Sequence, residues 1–516
     1  MVDAAASGHT TRESSSFRSC YPTWFEAGVL SLVVAVAAVL RLHSLAAKSF
    51  WFDEGVSVAI ARLDWYNFAR ILWRREANMS LYYLFLRGWL HFGGSEFFIR
   101  SLSVFFAVVS IPVIFLLGRR LFDSRVGLFA AVLLSANAYY VQYSQDARSY
   151  TLMVLLCLLS NFYFLESLKN PSCRNRAAYI FTSVLAVYAQ FFSLLLVSAQ
   201  RLSLSLLDRN QIPRQNKNDW RWIALLVAPI VIFVATTGAG PLRWVQRPGL
   251  HDLWVFGLHL SGNGGPLLLL ICAAGSIAAI APVWPSAKIR RVSWGSWRYR
   301  FLLCWLLFPS AFTLVLSLAK PLFVPRYFIF CLPALALLVA CGLTRLHSNW
   351  LITAALSLML ILSLRGTGGY YKQDIDIQRD DWRDATRYVL SHAEPGDALL
   401  FHVPMGRMPY EFYVSALGSS SAAPFVLYPQ HGNRIAFLDF VEKPNDAELA
   451  RLLPQYKRGW LVLTYAETRS GQPDARTIEL SKILADVYPN VEQHDFDGID
   501  IKLYNVAPLS PLAPTY

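Results

Sequence analysis

Charge is scarce in this chain. Of its 516 residues, 16% are Asp, Glu, Lys or Arg, whereas soluble domains carry about a quarter. So little charge cannot clothe the surface of a soluble protein this long. Cysteine is also sparse. Cys20, Cys157, Cys173, Cys272, Cys304, Cys331 and Cys341 show no CxxC spacing and all precede residue 365. A disulfide framework and a cysteine zinc site are therefore not indicated. The last 150 or so residues hold no glycine-rich phosphate loop and no triad spacing, and no internal repeat is visible anywhere.

Apolar residues dominate instead, with 55% hydrophobic and 14% aromatic. The expected class is a polytopic α-helical membrane protein. Net charge is +13, from 47 Lys and Arg against 34 Asp and Glu. In a membrane protein this points to basic cytoplasmic loops and anionic membrane lipids, not to nucleic acid. Residues 1–23 are polar and rich in Ser and Thr, and are expected to form a disordered cytoplasmic N-terminus. The run Ala27–Leu42 is expected to be an uncleaved first helix.

A crossing helix needs about 20 mostly apolar residues. Eleven candidates fit: 26–43, 98–117, 126–143, 150–168, 176–190, 192–208, 221–237, 263–284, 300–318, 326–344 and 349–364. Four basic loops set their direction. They hold Arg119, Arg120 and Arg125; Lys169, Arg174 and Arg176; Arg209, Arg214, Lys217 and Arg221; and Lys288, Arg290, Arg291, Arg298 and Arg300. All four fall on the cytoplasmic side if the N-terminus is inside and everything past residue 365 is outside. Leu81–Phe92 is apolar but short and contains Arg87 and His91. It is placed on the outer face as an interfacial helix, within a first outer loop spanning 44–97. That gives three domains: the 1–23 leader, a 24–364 membrane-embedded catalytic domain, and a 365–516 outer domain.

The outer domain is expected to be a small α/β unit. Asp381–His392 and Ala475–Tyr488 have helical spacing, Ala398–Val403 and Trp460–Thr464 have strand length, and Ile499–Tyr504 alternates. An accessory role is expected for it. The final Pro-Leu-Ser-Pro-Leu-Ala-Pro is expected to be unstructured.

With that orientation, the polar residues of the outer face can be collected. Asp53 and Glu54 follow Phe50-Trp-Phe52 in the first outer loop. A carboxylate there can take a proton from a hydroxyl, and the plainer alternative is a solvated helix cap. Asp146 and Arg148 sit in the next outer turn, where charge at such depth is costly and usually functional; the alternative is a local Asp–Arg pair. Pro325-Arg326-Tyr327 opens a later helix on the same face. Arg326 there offers a fork of donors at a helix N-terminus, suited to phosphate, or else it snorkels. His251, Asp252 and His259 share another outer loop, so a divalent metal is conceivable, but their spacing is not diagnostic and no cofactor is required. The turn Tyr188–Phe192 fits a simple aromatic belt.

These pieces resemble a known group. Trp51-Phe-Asp-Glu-Gly55, Leu81-Tyr-Tyr83, Gly93-Gly-Ser-Glu-Phe-Phe-Ile-Arg100, Gly118-Arg-Arg-Leu-Phe122, Tyr143-Ser-Gln-Asp-Ala-Arg148 with Tyr150, and Pro325-Arg-Tyr327 with Leu332-Pro333 occur in an order and spacing similar to the GT-C integral-membrane glycosyltransferases. Within that class the chain resembles bacterial relatives of protein O-mannosyltransferases and of the lipid A aminoarabinose transferase. The resemblance implies an outward-facing cavity and a polyprenyl-phosphate-linked sugar donor. It also implies Asp53 as catalytic base, Asp146 bordering the cavity, and basic residues holding the phosphate. Two departures concern the substrate. Many relatives carry Pro-Pro, with a Lys or His before it, ahead of the Leu-Tyr-Tyr segment. Here the stretch is Glu76-Ala-Asn-Met-Ser80, so no phosphate-contacting residue carries over. Many also have a His in the third outer turn, where this chain has Gln190.

The expected function is transfer of a sugar from polyprenyl phosphate to a lipid, glycan or protein hydroxyl outside a bacterial cytoplasmic membrane, with inversion. Asp53 and Glu54 are the catalytic candidates; Asp146, Arg148, Arg326 and Tyr327 are the substrate- and phosphate-binding ones. A flippase for lipid-linked glycans is the alternative, and it would be expected to show repeats and broken helices near the midplane. A non-catalytic assembly subunit is a third reading, and such a subunit would tolerate loss of Asp53. The orientation has a direct check. A reporter active only in the cytoplasm, fused after Tyr516, is expected to be silent, and a bright signal would reverse the assignment.

Overall fold

The structure is a computed structural model and describes residues 24–208, 218–237, 245–282, 292–375, 379–418, 423–429, 446–467 and 472–506. The leader 1–23, the Pro-rich end, and the loop cations Arg209, Arg214, Lys217, Arg243, Lys288, Arg290 and Arg291 lie outside the described residues.

The chain opens with α1 (Trp24–Leu42). Three short helices follow, α2 (Phe52–Arg62), α3 (Trp65–Arg74) and α4 (Ser80–Trp89). Next come α5 (Glu96–Leu121), α6 (Ser124–Ala136), α7 (Ala138–Ser144), α8 (Tyr150–Lys169), α9 (Cys173–Ala189), α10 (Ser193–Ser205) and α11 (Asp219–Thr237). The bundle ends with α12 (Leu250–Ser261), α13 (Pro266–Ile280), α14 (Trp294–Ser317), a 3₁₀ segment Pro325–Cys331, α15 (Leu332–Leu343) and α16 (Asn349–Lys372).

Every one of the eleven expected crossings falls on one of these helices or on a bent pair. Seven helical segments are long and apolar enough to cross a membrane, and two more crossings arise if α6–α7, bent by 63°, and α12–α13, bent by 76°, each count as one. The bends have local causes. Asn137 ends α6 and caps α7, its side chain accepting from the Tyr140 N–H at 2.9 Å. Gly262 and Gly265 take positive φ between α12 and α13, and Pro266 then opens α13. The remaining two expected crossings are α9 and α10, with 17 and 13 residues. Both are shorter than the roughly 20 that a span needs, so the count by length among the described residues is seven to nine.

Helix packing is close enough in places to demand glycine, most tightly at Gly342. A Cβ on Gly342 of α15 would approach the Gly275 carbonyl oxygen of α13 to 1.9 Å. Small residues that let backbones meet are the usual basis of helix association in lipid.

Polar contacts link the described parts of the basic loops to one another. Arg120 pairs with Glu166, Lys169 donates to the Arg120 carbonyl at 2.9 Å, and Arg176 pairs with Asp219 at 2.5 Å. Arg298 donates to the Leu121 carbonyl at 3.1 Å, and Leu207 forms a bridge with Val292. The turns that carry the candidate site residues lie at the other ends of the same helices.

α4 is the helix expected at Leu81–Phe92. It is packed inward, with Tyr82, Tyr83 and Leu86 fully buried. Arg87 leaves the apolar surroundings by donating to the carbonyls of Ala61 and Leu63 and by stacking on Trp65. No expected element covers α3, whose Trp65, Tyr66 and Trp73 are exposed.

The C-terminal domain, residues 379–506 as described, is the expected α/β unit. Its elements are α17 (Trp382–His392), β1 (Asp397–Phe401), α18 (Arg407–Ala416), β2 (Phe425–Tyr428), α19 (Asp446–Leu452), β3 (Arg458–Leu463), α20 (Ala475–Val487), β4 (Asn490–Phe496) and β5 (Ile499–Asn505). The sheet order is β2-β1-β3-β5-β4, parallel on the β2-β1-β3 side and antiparallel on the other. Gly498 makes the β4–β5 turn at φ 70°, and a Cβ there would lie 2.5 Å from an Asp380 carboxylate oxygen.

This domain grips the segment before α2. The Phe50 N–H donates to the Tyr413 hydroxyl at 2.7 Å, and the Arg383 N–H donates to Ser49 Oγ at 3.0 Å. Arg383 also pairs with Glu96 at 2.5 Å, and Lys48 pairs with Asp374 at 2.7 Å. Below this lies the most buried ion pair at the junction. Arg100 of α5 meets Glu54 of α2 at 2.6 Å, with side-chain exposures of 1% and 0%. Arg100 spends its other donors on the carbonyls of Leu45, Lys48 and Ser49 at 2.8–2.9 Å. Removing one member of a buried pair strands the other charge, at a cost of about 3–5 kcal/mol. Glu54→Gln is therefore expected to lower the thermal unfolding midpoint of the detergent-purified protein markedly, whereas an unchanged midpoint would show that the pair carries no load.

Candidate active site

α2 starts where Trp51 leaves an extended conformation and Phe52 turns helical. Asp53 and Glu54 occupy its first turn, where the helix dipole favours negative charge. Adjacent helical residues point about 100° apart, so the two acids separate. Glu54 turns into the protein and accepts from Arg100 Nε at 2.8 Å and Nη2 at 2.6 Å, from the Ala147 N–H at 2.8 Å, and from Arg379 Nη1 and the Trp51 N–H, each at 3.3 Å. Burial alone would push its carboxyl up, but Arg100, Arg379 and the Ala147 N–H outweigh that and hold it below the usual carboxylate range. On sequence Glu54 stands with Asp53 as a catalytic candidate. In the structure both its oxygens are occupied by fixed donors.

Asp53 turns the other way and keeps 26% of its side chain exposed. Its partner is Arg148, whose Nη2 lies 3.3 Å from Asp53 Oδ2. Arg148 also donates to the Asp53 carbonyl and to Ser57 Oγ, each at 3.3 Å. The sequence suggests no cation for Asp53, because Arg148 lies far along the chain. The local Asp146–Arg148 pair considered above does not form. The Arg148 N–H donates to the Asp146 carbonyl at 2.8 Å, a tight i to i+2 turn that sends the two side chains apart. Asp146 is instead buried against Arg379. Burial raises its carboxyl, Arg379 opposes, and the nearby Glu54 and Asp374 add to the rise.

Arg326 lies at the start of the 3₁₀ segment, its guanidinium 5.8 Å from the Trp51 ring centroid and 5.7 Å from that of Tyr327. Tyr150, Tyr143, Tyr327 and Asp53 make up its electrostatic surroundings. Tyr327 in turn has Arg326, Asp53, Arg148 and Glu76 around it and is braced by Phe192 at 5.1 Å. Asp53, Arg148, Arg326 and Tyr327 are thus one cluster, and Glu54 and Asp146 lie behind it. Trp51 Nε1, Arg148 Nε and the Tyr150 hydroxyl are buried without a hydrogen-bond partner among the described residues. Buried donors left open are rare and call for a ligand that accepts.

Other expectations resolve differently. Gln190 is fully buried, and the adjoining Phe191 N–H donates to Asn78 Oδ1 at 3.1 Å, so this turn holds the 76–80 stretch in place. His259 is buried and stacked on Tyr139 with centroids 4.5 Å apart, His251 is exposed, and Asp252 caps the Gly249 N–H. These three do not converge, and no group of three or more His, Cys, Asp or Glu among the described residues could hold a metal ion.

Three site residues were missed. Arg379, from the outer domain, bridges Glu54, Asp146 and Asp374. Asp380 beside it is buried, accepts from the Tyr465 hydroxyl at 3.4 Å, and is pushed up to about 7 by burial, with Asp53 adding to the rise. Glu76 was noticed only as a departure from the relatives' pattern. Nothing in the run Gln378-Arg-Asp-Asp381 distinguishes one charge from the next.

Comparison with known proteins bears on this arrangement. The family described as dolichyl-phosphate-mannose-protein mannosyltransferase matches residues 81–237. No curated protein matches the chain. Among solved structures the chain is similar to ArnT from Cupriavidus metallidurans in the apo state, at TM-score 0.58 and 14% identity, covering 94% of this chain and 99% of that one. The same protein bound to undecaprenyl phosphate gives TM-score 0.52 and 14% identity, covering 95% and 100%. The apo oligosaccharyltransferase of Archaeoglobus fulgidus gives TM-score 0.52 and 12% identity, covering 86% and 70%. Residues 81–237 thus match that family's model, and the fold of ArnT is shared along nearly the whole chain.

Proposed function

We propose that this protein is a glycosyltransferase that moves a sugar from a polyprenyl-phosphate-linked donor to a hydroxyl on a lipid, glycan or protein at the outer face of a bacterial cytoplasmic membrane. The observation that carries this reading is the pairing of a part-exposed Asp53 with Arg148 at 3.3 Å, in one cluster with Arg326. It puts a proton acceptor and two guanidinium groups around one space. The similar ArnT structure was solved with undecaprenyl phosphate, which supports the donor class.

In this reading Asp53 takes the proton of the acceptor hydroxyl as that oxygen bonds to the anomeric carbon. The bond from the anomeric carbon to the phosphate oxygen breaks, and its electron pair leaves with the polyprenyl phosphate. Arg148 and Arg326 stabilise the charge that gathers there, with Tyr327 and the open donors of Trp51 and Tyr150 beside them. A single displacement inverts the anomeric centre. Glu54, next to Asp53 in sequence, and Asp146, two residues before Arg148, position them through Arg100 and Arg379.

The first test is Asp53→Asn, assayed for transfer of labelled sugar into membranes of a strain lacking the gene. Loss of a positioned base is expected to slow transfer about 10²- to 10⁴-fold, with expression and unfolding midpoint unchanged. Normal transfer by a folded Asp53→Asn protein would overturn the assignment. Glycan analysis of the same deletion strain would name the product. Arg326 is tested separately by steady-state kinetics. Arg326→Lys keeps the charge but loses the fork, so partial activity is expected, with a larger loss for Arg326→Ala. Unchanged KM and kcat in the alanine variant would show that Arg326 only snorkels.

A further inference from the structure

The cluster contains a carboxylate that the reaction does not use. Glu76 ends the stretch after α3, and its side chain accepts from the Tyr83 hydroxyl at 3.4 Å. The backbone around it is held in an unusual shape. Met79, buried and not glycine, stands at φ 70°, a left-handed conformation that side chains other than glycine rarely adopt. Asn78 accepts from the Phe191 N–H at 3.1 Å, and Ser80 Oγ donates to the Tyr188 carbonyl at 3.3 Å. These ties fix the loop that carries Glu76, while its chain neighbours Arg74 and Arg75 stay exposed.

The charged and titratable groups facing Glu76 are Arg148 from the 145–149 turn, Asp53 from α2, Tyr83 from α4 and Tyr327 from the 3₁₀ segment. Arg148 therefore feels two carboxylates, Asp53 and Glu76, before any ligand arrives. A phosphate entering the same space must share that guanidinium with them. We propose that Glu76 sets the hold on the lipid phosphate: as a carboxylate it competes for Arg148, weakening the grip on polyprenyl phosphate so that the product can leave.

This rests on the donor assignment above and adds a release function to it. A site that binds donor and product phosphate equally well gains nothing in turnover from binding both tightly. Burial raises the Glu76 carboxyl to about 7, with Asp53 adding and Arg148 opposing. Below that pH Glu76 is neutral and does not compete; above it the carboxylate forms and the hold slackens.

The test is binding of undecaprenyl phosphate to the full-length protein in nanodiscs, wild type against E76Q, at pH 6 and pH 8. E76Q is expected to bind about tenfold more tightly than wild type at pH 8, as two like charges at this range in a partly buried site would give. The two proteins should converge at pH 6. The lipid phosphate's own second ionisation, near pH 6, affects both and cancels in the ratio. Wild type measured alone should bind more weakly at pH 8 than at pH 6 even though the ligand has gained charge, so the inference can be judged if E76Q fails to fold. Equal affinities of E76Q and wild type at pH 8, or wild-type affinity that rises steadily with pH, would overturn the role of Glu76. Absence of binding by wild type at either pH would bring down the donor assignment, and the Glu76 role with it.

Discussion

The buried pair of Glu54 and Arg100 is the contact on which the candidate-site end of the molecule depends. It joins the first turn of α2 to the start of a membrane helix. Two ions this deep are worth burying only if each is fully met, and here each is. Glu54 has five fixed donors, and Arg100 adds three backbone carbonyls to its carboxylate. The carbonyls belong to residues 45–49. The pair therefore fixes the approach to α2 as well as its first turn, and the direction of Asp53 follows.

Because Glu54 points inward, Asp53 must point out. Because the Ala147 N–H is spent on Glu54, the 145–149 turn is pinned beside α2, which brings Arg148 across to Asp53. Arg379 then closes the set by holding Glu54 and Asp146 from the outer side. Asp53 keeps part of its side chain exposed while Glu54, its neighbour in sequence, and Asp146 are buried. A buried network thus holds a part-exposed carboxylate in place.

Much of this was legible in the sequence, for physical reasons that differ by element. The crossings announce themselves because lipid demands uninterrupted apolar helix. The strands Ala398–Val403 and Trp460–Thr464 did so because they are buried on both faces. Asp53, Arg148 and Arg326 were reachable because charge beside apolar runs is rare enough to notice. The division of labour between Asp53 and Glu54 was not, since it depends on what lies 46 residues away at Arg100. Arg379 was less so, at 325 residues from Glu54. The exposed strand β4 escaped because it lacks the alternation of a half-buried strand, and α3 because ten amphipathic residues are too short to stand out among the crossings.

The outer domain reaches the site through residues that are synthesised late. Arg379 and Asp380 follow the last membrane helix, and Gly498, whose missing side chain leaves room for Asp380, lies later still on the β4–β5 turn. A ribosome that has threaded every helix into the bilayer has therefore not yet finished the cavity. Until the final hairpin closes, Asp146 lacks its guanidinium, Glu54 lacks one of its donors, and the face around Asp53 stays unassembled. A chain cut short before β5 would therefore carry every membrane helix yet lack the turn against which Asp380 packs.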